Sequence, residues 1–176
     1  MPTVARLTTR SFALIFVLVS VSCTSPSQHA VAQPPGFPKL DEFTPVSIDN
    51  YIEIPPKGLR YAYFSTPYNI QCWFEAGEPV PVWQSQDINC LGDMPDANPC
   101  MVGKATGVRS APTYAISMTG NKCGVPYTHG TLLNIGQKVN FRDATCVVGP
   151  DRLVACLDTS SGEHGFVLKP SGSVAF

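Results

Sequence analysis

The sequence predicts a mainly β, all-β fold: a small antiparallel sandwich or barrel stapled by three disulfides. Three observations carry this expectation. Short segments rich in β-branched and aromatic residues recur between turn residues. The 17 prolines and 14 glycines among 176 residues interrupt helical periodicity throughout. Six cysteines lie beyond the N-terminal leader (Cys72, Cys90, Cys100, Cys123, Cys146 and Cys156), an even number in a chain of one-domain size.

The predicted strands are 60–66, 69–75, 87–91, 114–119, 137–141, 145–148, 153–158, 165–169 and 173–176. Residues 92–113 carry Gly, Pro, Asn and Asp and read as a long loop pinned by Cys100. A short helical turn is expected there or near 129–135.

Cysteine pairing follows from local pattern. Between Cys146 and Cys156 runs Val-Val-Gly-Pro-Asp-Arg-Leu-Val-Ala. Gly149-Pro150-Asp151 is turn chemistry, and a hairpin about Asp151 sets Val147 opposite Ala155 and Cys146 opposite Cys156. Cys72 and Cys90 sit in strand-like segments separated by the breaker run 77–81 and form the second expected pair. Cys100–Cys123 follows by elimination. No C-x-x-C occurs, and His29, His129 and His164 stand alone, so disulfides are preferred to a metal site and no cofactor is expected.

Residues 1–32 read as an export signal. Arg6 and Arg10 precede twelve uncharged, mostly apolar residues, 11–22, too short a run for a bilayer anchor of about 20 residues. Residues 20–23 resemble a lipobox ending in Cys23, whose thiol would be lipidated; Ser20 stands where Leu is usual. Ala30-Val31-Ala32 offers a competing A-x-A cleavage site, and a discarded Cys23 or a retained leader are the remaining alternatives. Residues 24–47 are Pro- and Ser-rich and suit a linker, leaving 48–176 as the disulfide-bonded β domain. The expected address is extracytoplasmic: secreted, or anchored to the cell membrane as a lipoprotein.

Formal net charge is −1, and −3 once the two leader arginines are removed. No basic stripe remains, so nucleic acid is not an expected partner.

Certain stretches look familiar. Tyr63-Phe64-Ser65-Thr66-Pro67-Tyr68-Asn69-Ile70-Gln71-Cys72 resembles a recurring F-x-S-P-S-G-N-I-x-C segment. Ile88-Asn89-Cys90 resembles the V-x-C that follows it. Leu133–Gly136, Thr145-Cys146, Val154–Cys156 and His164-Gly165-Phe166 resemble its C-terminal half. The pattern is similar to small secreted and lipoprotein domains of actinobacteria, including mycobacteria, of unknown function. Tyr68 replaces the family's Ser-Gly, and Glu163 interrupts its Thr-Gly-His order. The resemblance implies export and a cysteine-bridged β domain; it brings no catalytic residues.

Three functional readings remain. An envelope binding or structural module would act through its surface, with a protein or glycan ligand and a membrane contact through the N-terminal lipid. Trp73, Trp83, Tyr61, Tyr63 and Tyr68 cluster around the first two strands and offer rigid contact area. The expectation for Trp73 itself is packing against the Cys72–Cys90 bridge. An extracytoplasmic hydrolase would use His164 with Ser160, Ser161 and Asp158, or His129 with a carboxylate; no G-x-S-x-G elbow is present. A secreted inhibitor or effector would present the 92–113 loop. Asp87, Asp93 and Asp96 lack calcium-loop spacing and read as solvated acids.

Overall fold

The computed structural model describes residues 36–53, 60–76, 88–97, 101–108, 113–121 and 124–176. All belong to one compact unit, Val31–Phe176. Two sheets share one core. The first runs β2 (Ile52–Glu53), β3 (Arg60–Ser65), β4 (Ile70–Ala76), β5 (Ile88–Asp93), β6 (Met101–Gly107) and β7 (Tyr114–Asn121), with β8 (Thr131–Leu132) added parallel to β3. The second runs β1 (Thr44–Val46), β9 (Gln137–Phe141), β10 (Ala144–Val148), β11 (Val154–Asp158), β12 (His164–Leu168) and β13 (Val174–Ala175). Each is an antiparallel meander of consecutive strands, and β1 joins the second in parallel to β9. The protein is therefore an all-β sandwich.

Period-two alternation builds the core from each strand. Ala62 and Phe64 on β3, Ile70, Cys72 and Phe74 on β4, and Ile88 and Cys90 on β5 point inward and are fully buried. They meet Val139, Cys146, Val148, Val154, Cys156, Phe166 and Leu168 from the second sheet. Phe74 stacks on Phe141 at 5.6 Å, and Tyr114 meets Phe166 at 5.6 Å. Each large side chain buried this way contributes about 1.5–3 kcal/mol.

Both locally argued disulfides are present, one in each sheet. Cys146–Cys156 and Cys72–Cys90 join directly opposed residues with Cα atoms 4.1 Å apart. The first bridge closes a hairpin in which Val147 faces Ala155. The strand register is centred on Asp151, as expected from sequence. Asp151 and Arg152 both have positive φ, and Leu153 N–H donates to the Pro150 carbonyl, a turn whose twist matches the strands it joins. Cys23, Cys100 and Cys123 lie outside the described residues.

Three expectations need correcting. Residues 101–107 are not loop: β6 pairs with β5 on one side and β7 on the other. Its two glycines and lysine disguise it, yet Gly103 is required, because a Cβ there would lie 2.4 Å from the Met94 side chain. The linker reading of 24–47 also fails over its described end. Phe43 is buried, Thr44–Val46 is a strand, and Phe37, Leu40 and Phe43 pack on Val147, Ala155 and Val167. Those three residues sit side by side on the outer face of the second sheet, and burying them outweighs ordering a proline-rich segment. Near 129–135 the structure has strand β8 followed by a tight turn rather than a helical turn; among the described residues the short helical turns are 3₁₀ segments at Leu40–Glu42 and Ile48–Asn50.

Candidate ligand-binding face

The alternation that buries Cys72 sends Trp73 outward. Trp73 therefore does not pack against the Cys72–Cys90 bridge as expected from sequence; it lies on the opposite face of β4, half-buried. Tyr63 is its cross-strand partner on β3, with ring centroids 6.1 Å apart and planes 32° apart. Tyr61 continues the row at 5.7 Å and 36°. Three aromatic rings thus lie side by side, tilted only moderately, above a backbone anchored by the buried disulfide.

Polar groups surround the row. Glu53 on β2 and Glu75 on β4 stand opposite Tyr61 on either side. Lys104 on β6 places its Nζ 5.7 Å from the Trp73 ring centroid. His129 meets Tyr63 edge-on at 4.5 Å and binds Glu53 through Nε2···Oε2 at 3.1 Å. Burial pushes the Tyr63 hydroxyl pKa above its ordinary value, and Tyr61, Glu53 and Glu75 add repulsion to the phenolate.

His129 owes its position to the preceding loop. Asn69, in the left-handed region at φ 57°, accepts from Tyr127 N–H at 2.7 Å and donates to the Val125 carbonyl at 3.0 Å. Gly130 lies against the Tyr63 backbone, where a Cβ would come within 2.5 Å. Its carbonyl accepts from Ser65 Oγ. These contacts fix the imidazole beside Tyr63.

The other sequence candidates are dispersed. Tyr68 faces the core and donates to the Gly149 carbonyl at 2.6 Å, tying two hairpins together. Trp83 and Asp87 lie outside the described residues. Asp93 and Asp96 are not merely solvated: Asp93 accepts from Asn69 Nδ2, and Asp96 accepts from both N–H and Oγ of Ser173. Asp158 and His164 are cross-strand neighbours. Asp158 is fully buried, however, and accepts from Tyr114 Oη, Ser160 N–H and Ser160 Oγ. The single Ser160 hydroxyl proton is thus spent on Asp158 rather than offered to His164, which makes this a turn clasp. No group of three metal-ligating side chains occurs among the described residues.

Sequence reasoning missed Lys104, hidden in the segment read as loop, and the outward aim of Trp73. Strict alternation from Cys72 is the signal that finds the latter. Comparison of the chain with protein-family models, curated proteins and solved structures gave no match in any of the three.

The two disulfides indicate an oxidising, extracytoplasmic setting for the folded domain. No described helix is long and apolar enough to cross a membrane.

Proposed function

We propose that this chain is an exported cell-envelope binding module that holds a glycan on the outer face of its first sheet. The row Tyr61–Tyr63–Trp73 carries this reading. A pyranose ring presents an apolar face of C–H groups ringed by hydroxyls. Side-by-side aromatic rings receive such faces, and neighbouring carboxylate, imidazole and amide groups take the hydroxyls. Glu53, Glu75, His129 and Gln71 supply those polar groups here. In this reading the leader 1–32 delivers the domain, which is either tethered through a lipid on Cys23 or released. The resemblance to actinobacterial secreted and lipoprotein domains supports the same address.

The hydrolase reading has less beneath it. His129 does meet a carboxylate, Glu53, but among the described residues no serine, threonine or cysteine hydrogen-bonds its ring. A glycan array probed with the mature protein tests the binding reading. Trp73→Ala and Tyr63→Ala should each lower affinity more than about tenfold, as central aromatic contacts do. An array without a hit, or affinities untouched by both substitutions, removes the reading.

A further inference from the structure

We infer that the glycan taken by this face carries an anionic group, a carboxylate or an acidic ester, that meets Lys104 beside Trp73. The inference rests on the binding reading above and names its ligand class. Three observations support it.

Lys104 is the cation on the β6 side of the row, and its interaction is with an aromatic ring rather than an acid. Among the described residues no carboxylate lies within ion-pair distance of its Nζ. Its cross-strand neighbours, Leu91 on β5 and Ser117 on β7, are uncharged.

Of the carboxylates on this sheet, Glu53 lies four strands from Lys104, Glu75 shares β4 with Trp73, and Asp93 on β5 accepts from Asn69 Nδ2 at 3.0 Å. Glu53 on β2 is held by His129 at 3.1 Å, and Glu75 stands opposite Tyr61. Strands are spaced about 4.8 Å apart, so β2 is about 19 Å from β6. The Debye length at physiological ionic strength is about 8 Å, so Glu53 exerts little repulsion at Lys104.

An ammonium carries three donors, and lying over a ring face consumes none of them in a directed bond. An anion on the sugar stacked at Trp73 accepts them directly. The face then reads a chain with polarity: hydroxyl-rich sugars over Tyr61 and Tyr63, and the acidic group at Trp73.

The test is a calorimetric titration of the mature protein with three probes. These are an oligoglucuronate, the same oligomer with its carboxyls reduced to alcohols, and a sulfated neutral oligomer. The acidic oligomer should bind about threefold to fivefold more tightly than the reduced one, as expected for one exposed charge pair. Added salt should shrink that ratio, Lys104→Met should bring it close to one, and Lys104→Arg should keep it. Preference for the sulfated oligomer, lost in Lys104→Met, supports the inference equally and identifies the ester as the source. Equal binding of acidic and reduced oligomers overturns the inference and leaves the glycan reading standing. An acid preference that survives Lys104→Met also overturns it. If no probe binds, acidic or neutral, the glycan reading falls and this inference with it.

Discussion

The outer faces of the two sheets have opposite fates. On the second sheet, Val147, Ala155 and Val167 form an apolar stripe, and the segment bearing Phe37, Leu40 and Phe43 covers it. Strand β11 is consequently buried along its whole length. On the first sheet, the equivalent outward positions carry Tyr61, Tyr63, Trp73 and Lys104, and on β6 Lys104 is part-buried between buried Gly103 and Ala105. One face is covered and adds stability; the other stays uncovered and carries the aromatic row proposed for ligand binding. Aromatic side chains occur on both, so residue type alone does not separate the roles; what the chain lays over them does.

The largest expected effect tests whether the sheets also differ in how they depend on their staples. Replacing either disulfide with a pair of alanines should cost about 3 kcal/mol, read from urea midpoints. The sequence separations are 18 for Cys72–Cys90 and 10 for Cys146–Cys156. Loop entropy therefore makes the former dearer by about 0.5 kcal/mol. A much larger loss for Cys146–Cys156 would show that burial on both faces, not loop closure, governs.

Phe43→Ala should cost about 3 kcal/mol and leave ligand affinity unchanged. Trp73→Ala should do the reverse, lowering affinity for the proposed glycan more than about tenfold while costing stability less than about 1.5 kcal/mol. Equal stability losses from the two would break the division between faces. A middle-sized effect is expected between the sheets: Tyr114→Phe removes a donor to fully buried Asp158 and should cost about 1–3 kcal/mol.

The smallest effect concerns pH. Burial, the first cause in each case, raises the pKa of Tyr51, Tyr63 and Tyr68 above their ordinary value of 10.0. Their folded forms hold the proton longer than the unfolded chain does. The associated stability is complete below pH 10 and is lost as pH rises through the raised values. Ultraviolet titration of tyrosinate absorbance should show late-ionising groups, and Tyr63→Phe should remove one of them.

Much of the second sheet was legible from residue order. Gly149-Pro150-Asp151 between β-branched runs announced a hairpin, and the hairpin aligned its two cysteines. Those signals are local, which is why they could be read. The cover at 37–43 was not legible, because a short stretch with a proline and charged residues looks the same whether it is solvated or laid on a distant sheet. Strand β6 was obscured by Gly103 and Gly107; its strand character comes from partners on both sides, and Gly103 makes room for Met94. The candidate binding face was half legible. Tyr61 and Tyr63 were placed on one face by their spacing, while His129 arrives through a loop tied to Asn69, a relationship over some sixty residues that no short-range pattern encodes.

Both described staples close short circuits within a single hairpin. Each can be oxidised as soon as its own two strands meet, without waiting for the sandwich to close. The distant pairings, β1 beside β9 and β8 beside β3, carry no covalent guard of this kind. An emerging chain can therefore secure these two bridges early and complete its long-range order afterwards.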